Sequence, residues 1–249
     1  RNVIRRNTVR GNADGFMISA WSSSANLASP LFMNDIDIYR NTIVNIGDDP
    51  AEFEGACINL RYYENLIINS LMGSAPSPTR MGPVYHFRNV MRDFRDAAVK
   101  TGLSSRGFWS LQDTYWSRYP EAQGISNFAG GDAIMGLLFV NDIIRCNRNV
   151  IMAGRAPYLV MDYNLYWTDG RFSGDYSSLA AAQPVMGINS IQANPDPTLS
   201  PELRPYAGSI VENRGCHIEG LNDDFLGMEP DIGALESQGE VAPPVADFL

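Results

Sequence analysis

The sequence predicts an all-β chain wound as a parallel solenoid, and three observations carry that prediction. A short apolar run closes on an asparagine six times, in VIRRNTV, DIYRNTI, YYENLII, HFRNVM, LFVNDII and MDYNLY, at Asn7, Asn41, Asn65, Asn89, Asn141 and Asn164. The spacings are 34, 24, 24, 52 and 23; three of them agree to within one residue, and a period of this size marks a stacked repeat. Apolar positions before each asparagine lie two residues apart, which is strand periodicity, and no stretch holds the three-and-four spacing of a helix.

Taken in order, each unit reads as a strand, an Asn corner, a second strand and a loop containing Gly. Three residues before the corner stand Ile4, Ile38, Tyr62, His86, Leu138 and Met161; five before it, Asn2, Ile36, Leu60, Val84, Gly136 and Leu159; two after it, Val9, Ile43, Ile67, Met91, Ile143 and Tyr166. These columns are expected to face inward. A third strand per turn is expected at GFMISA, GACINL, AAVKTG and VIMAG. Asparagines buried at successive corners can pair their amides along the axis, so an asparagine ladder is expected there.

Two stretches break the period. The gap from Asn89 to Asn141 holds about one coil too many residues, in TGLSSRGFWSLQDTYWSRYPEAQGISNFAGGD (101–132), and WSSSANLASPLF (21–32) is a smaller surplus. Functions of solenoids concentrate in projecting loops. The long stretch is therefore expected to be an aromatic-rich inserted loop, with Trp109, Tyr115, Trp116 and Tyr119 either binding sugar rings or capping the solenoid. Two residues before each corner run Arg5, Tyr39, Tyr63, Phe87, Phe139 and Asp162, an outward aromatic column that calls for a cover or a ligand.

Composition bounds the partners. At 249 residues and 45% apolar content, one elongated domain with a continuous core is expected over 1–236, followed by a Pro-containing linker or tail over 237–249. No apolar run approaches the length of a membrane span. The net charge of −9 argues against nucleic acid or an anionic membrane as partner. Positive charge is almost all arginine, with Lys100 the single lysine. Cys57, Cys146 and Cys216 are an odd number at wide spacings and read as free thiols. Because Arg1 falls inside a repeat unit, further coils are expected ahead of it.

The repeat resembles the right-handed parallel β-helix of the pectate-lyase-like superfamily, in particular its secreted right-handed β-helix repeat proteins. PDIGALE (230–236) resembles the closing signature of that group, with Leu235 where an aromatic is usual. GSIVENRG (208–215) resembles the stretch that precedes it, with Asn213 in place of an Asp, and SLAAAQPVMGINSIQANPDPTL (178–199) resembles its helix-turn piece. The resemblance implies a right-handed parallel β-helix and a secreted, periplasmic or cell-surface location. It also implies an activity on polysaccharide, with cleavage of a uronate-containing polymer by β-elimination first among the options.

β-Elimination needs a carboxylate neutraliser, a base and a proton donor at one groove. Such lyases use Lys or Arg as base and often Ca²⁺ as neutraliser, so Lys100, placed in AAVKTG beside the aromatic stretch, is the candidate base if its pKa is depressed. The alternative is an ordinary outer-face lysine. Arg61 and Arg88 are candidates to grip carboxylates, or to form surface ion pairs. His86 is a core histidine in the inward column, or an acid–base group if the register turns there. GDDPAEFEG (47–55) gathers Asp48, Asp49, Glu52 and Glu54, a candidate Ca²⁺ site or a solvated acidic turn. Two further classes stay open. One is a non-catalytic adhesion, cell-surface or filament component with protein partners; the other is a glycoside hydrolase or uronate epimerase.

Overall fold

The computed structural model describes residues 1–20, 33–102, 105–127, 136–151, 159–172 and 187–237. Two strands meet at a corner and a third closes each coil. β1 (Asn2–Arg5), β2 (Thr8–Arg10) and β3 (Phe16–Ala20) are followed by β4 (Met33–Tyr39), β5 (Thr42–Val44) and β6 (Ala51–Gly55), then by β7 (Cys57–Tyr63), β8 (Leu66–Ile68) and β9 (Met72–Ser74). The next coils are β10 (Val84–Phe87), β11 (Val90–Arg92) and β12 (Ala97–Thr101), and β13 (Phe108–Leu111), β14 (Thr114–Trp116) and β15 (Gln123–Asn127). β16 (Leu137–Val140), β17 (Ile143–Cys146), β18 (Leu159–Asp162), β19 (Leu165–Thr168) and β20 (Ile191–Gln192) extend the first two sides.

Every pairing between the described strands is parallel. The first side is a seven-stranded sheet, β1-β4-β7-β10-β13-β16-β18, and the second an eight-stranded sheet, β2-β5-β8-β11-β14-β17-β19-β20. The third side holds β3-β6 and β15-β12-β9, joined by the single bridges Glu52–Ala75 and Gly55–Thr79. The molecule is a parallel β-solenoid, nearly all β among the described residues, with one 3₁₀ turn at Asp196–Thr198. Its core is a column of inward residues: Ile38, Tyr62 and Phe139 from the first side, Ile43, Ile67, Met91, Tyr115, Ile144 and Tyr166 from the second, Phe53, Val99 and Ile125 from the third.

The corners set the register of the coils. The residue just before each corner side chain sits in the left-handed region: Arg6, Arg40, Glu64, Arg88, Gln112, Asn141 and Tyr163, with φ between 53° and 61°. The corner side chains are therefore Asn7, Asn41, Asn65, Asn89, Asp113, Asp142 and Asn164. Asn41 Nδ2 donates to Asn65 Oδ1 and Asn65 Nδ2 to Asn89 Oδ1, each at 3.0 Å, and Asn89 Nδ2 donates to Asp113 Oδ1 at 3.0 Å. Backbone N–H groups carry the contact onward, from Asp113 to Asp142 Oδ1 and from Asp142 to Asn164 Oδ1, both at 2.7 Å.

Three expectations change with this register. The long aromatic stretch is not a projecting loop: Phe108, Trp109, Tyr115 and Trp116 lie in β13 and β14, a coil in step with its neighbours, because Thr114 pairs with both Val90 and Ile143. Phe139, not Leu138, points inward, and Ile144 replaces Ile143 in the core column. The outward aromatic column covers itself, since Tyr39 stacks on Tyr63 at 4.7 Å and Tyr63 on Phe87 at 4.6 Å. The surplus at 21–32, Phe128, the tail from 238 onward and residues 178–186 of the expected helix-turn piece lie outside the described residues.

The segment 187–237 packs along the outer face of the second sheet. Leu199, Leu203, Val211, Ile232 and Ala234 form a second core with Val90, Ile143 and Leu165. Gly233 N donates to Asn141 O at 2.7 Å and Ala234 N to Thr114 Oγ1 at 2.9 Å. The DIGALE stretch thus docks on the solenoid wall, where Glu236 Oε1 accepts from Gln112 Nε2 at 2.8 Å, while within the segment Asp231 Oδ1 accepts from Asn213 N at 2.8 Å.

Candidate functional site

The predicted residues separate onto different sides of the solenoid. His86 is wholly buried in the core, where its Nδ1 lies 2.7 Å from Asp113 Oδ2 and its ring stacks on Tyr62 at 4.9 Å. Ser110 Oγ also donates to Asp113 Oδ2, at 2.9 Å, and meets Tyr115 Oη at 3.0 Å. His86 and Ser110 thus share the Asp113 carboxyl, and with all three residues 0% exposed they form an internal polar network. Tyr115 belongs to it and is fully buried, which removes it from the sugar-contact candidates.

Arg88, at its left-handed corner, is half-buried and ion-paired to Asp224 of the C-terminal segment. Trp116 is held beneath the same segment: its Nε1 donates to Asp196 Oδ1 at 2.8 Å, and the Arg118 guanidinium lies 4.8 Å from its ring. Both residues fasten the segment to the wall. Tyr119, 40% exposed, lies beyond β14.

Arg61 and Trp109 share one column on the outer face of the first sheet. The register places Asp37, Arg61, Tyr85 and Trp109 side by side on successive coils. Arg61 and Arg1 both bind the buried Asp37 carboxyl, so two guanidiniums meet one acid. Tyr85 and Trp109 are partly exposed and perpendicular, with centroids 5.2 Å apart at 87°. In the adjacent column the rings of Tyr39, Tyr63 and Phe87 stack on one another, with Arg5 Nη1 donating to Tyr39 Oη at 3.0 Å.

Lys100 lies on the third side, among the acids expected to bind Ca²⁺. Its Nζ donates to Asp49 Oδ2 at 2.8 Å. Burial lowers its pKa, but Asp49, helped by Asp48 and Glu52, outweighs burial and holds it above the ordinary lysine range, so the depressed pKa that a base needs is absent. Burial raises Asp49, Glu52 and Glu54 alike. For Glu52 the hydrogen bond with Asp49 and the charges of Glu54, Asp49 and Asp14 add to burial and push it up to about 8. Among the described residues no three His, Cys, Asp or Glu side chains are grouped to hold a metal ion; the cation facing these acids is Lys100. Cys57 and Cys146 are buried free thiols pushed up to about 12 by burial, and Cys216 is also free.

Sequence reasoning missed Asp37, Asp113 and Asp142. Asp113 stands 24 residues after Asn89, in the period already established, but an asparagine was required at that place. The class of molecule defined by this architecture is the parallel β-solenoid. Comparison with protein-family models, with curated proteins and with solved structures finds no match to this chain.

Proposed function

We propose that the protein is a polysaccharide-binding β-solenoid of the pectate-lyase-like kind, and that an acidic, uronate-containing polymer lies across the outer face of its first sheet. The observation that carries this is the column Arg61, Tyr85, Trp109. Perpendicular rings leave at least one ring with its faces clear of the other, and sugar C–H faces stack on such surfaces. The Arg1–Asp37–Arg61 cluster keeps a net positive charge on a chain of net −9, and guanidinium is a fork suited to carboxylates. A secreted or cell-surface location goes with this ligand.

Cleavage by β-elimination is the second reading, supported by the sequence resemblance and by Arg61 as a carboxylate neutraliser. Its difficulty is the base, since Lys100, Arg88 and His86 are each committed to an acid within the fold. That commitment favours binding ahead of chemistry and keeps an adhesion or surface role in view. Affinity electrophoresis against alginate, pectate and glycosaminoglycans tests binding. Retardation by an acidic polymer, weakened at least tenfold in Arg61→Ala and Trp109→Ala, is the expected result. Equal retardation of the wild type and both variants removes the first-sheet site. Ultraviolet absorbance from unsaturated uronate products, followed on the same polymers, decides whether cleavage accompanies binding.

A further inference from the structure

Lys100, the only lysine of the chain, meets Asp49 across two coils. The contact is built as more than a surface ion pair. Asp49 is 0% exposed, its Oδ2 accepts from Lys100 Nζ at 2.8 Å, and its Oδ1 has no hydrogen-bond donor among the described residues. Glu52 Oε2 is likewise buried without a partner among the described residues, and the Asp49 carboxyl lies near enough to help raise the pKa of Glu52. Burial and the neighbouring acids favour the proton-carrying form of Glu52. Ala75, 1% exposed, occupies the intervening coil in register with Glu52, and Ala98 and Phe53 are fully buried nearby on the same side. Gly73 lets adjacent coils stack closely here: a Cβ there would stand 2.3 Å from Ala98 O.

We propose that Lys100 and Asp49 form an intramolecular isopeptide bond, with the Glu52 carboxyl shuttling the protons. An amine, a carboxyl carbon and a proton-carrying acid are the three groups that amide formation requires; the fold holds the first two in contact and sets Glu52 near Asp49. Such positioning replaces the high reactant concentration that the reaction needs in water. The step is balanced. The Lys100 ammonium gives one proton to the Asp49 carboxylate, and the free amine attacks Asp49 Cγ. The Nζ–Cγ bond forms, and Glu52 takes a second proton from nitrogen while delivering its own to the departing oxygen. The Cγ–O bond breaks and one water leaves. An ammonium and a carboxylate become one amide and one water, with no change of oxidation state and no co-reactant. Burial keeps Glu52 in its proton-carrying form near neutral pH, with its pKa pushed up to about 8. The product ties the second coil covalently to the fourth. It does not depend on the glycan-binding reading, because these residues lie on the third side.

Intact mass spectrometry of the folded full chain, denatured before injection, tests the bond. The wild type is expected to weigh one water less than its sequence, and a proteolytic digest is expected to contain one branched peptide joining the Asp49 segment to the Lys100 segment. Lys100→Arg keeps the positive charge but has no primary amine, and is expected at full sequence mass. Glu52→Gln keeps the shape without the transferable proton and is expected at full mass, with circular dichroism showing that it folds. Wild type at full mass after prolonged incubation at neutral and mildly alkaline pH would overturn the proposal. So would a water loss that persists in Lys100→Arg, and a branched peptide formed as fast in Glu52→Gln would remove the shuttle.

Discussion

At the scale of single residues, the corner side chains show how one position decides whether a coil stacks. Asn65 is 2% exposed, and its Nδ2 donates to both Ile38 O and Asn89 Oδ1 while its Oδ1 accepts from Asn41 N and Nδ2. An asparagine can do all of this because its amide carries donors and acceptors together. Asn65→Leu is expected to destabilise by about 1–3 kcal/mol for each buried group left unpaired, read as a lowered urea midpoint; an unchanged midpoint would remove the corner column from the stability of the fold. Asp142 is the opposite case. It is fully buried, Oδ2 has no partner among the described residues, and burial together with the neighbouring Asp113 raises its pKa well above the usual carboxylate range. A carboxyl raised in the folded state gives full stability below its unfolded pKa of about 3.9, and that stability is lost as pH rises from there toward the folded value. Asp142→Asn removes this dependence and restores a donor. It is therefore expected to unfold at higher urea than the wild type at pH 7, by about 1–3 kcal/mol, with the gap closing toward pH 4. A gap that is constant over this range would show that Asp142 does not titrate with folding.

At the scale of elements, the C-terminal segment is the part whose role the chain conceals. Its DIGALE stretch reads as a signature, yet each position has a packing reason. Ile232 and Ala234 enter the second core, Asp231 and Glu236 accept backbone and side-chain hydrogen bonds, and Gly233 has φ +106° with Ile143 Cδ1 2.6 Å and Thr114 Oγ1 2.9 Å from where a Cβ would stand. Gly233→Ala combines a backbone conformation that side chains rarely adopt with contact against the wall. It is expected to cost about 1–3 kcal/mol and to expose the segment to limited proteolysis before the solenoid is cut. Cleavage at an unchanged rate would mean that the segment is held by its ion pairs instead. The β13–β14 coil teaches the reverse lesson. Its aromatics suggested a loop because Trp and Tyr are conspicuous in sequence, but Tyr115 continues the Ile43, Ile67, Met91 column and Phe108 the Leu60, Val84 column. The 24-residue spacing to Asp113 was present to be read; the carboxyl hid it, although Asp accepts at a corner as Asn does.

At the scale of the whole molecule, the three sides divide the work. The first carries the Arg61, Tyr85 and Trp109 column, the second is covered by residues 187–237, and the third carries Lys100 among acids. If the first side binds the polymer, raising salt should weaken binding, because the carboxylate attraction of Arg61 is screened while ring stacking is not. Affinity that is indifferent to salt would leave the rings as the contact and remove the charge. The period of the corner residues and the alternation around them determined the parallel solenoid without any tertiary information, because every coil must bury the same positions against its neighbours. Which residues meet across coils was decided by register, and a shift of one at Asn141 turns Leu138 out and Phe139 in. The pairing of Lys100 with Asp49, 51 residues away, belongs to that second category. Sequence places one in a strand and the other in an acidic turn; only the winding of the chain, which brings every second coil within reach of a lysine side chain over a small alanine, makes them partners.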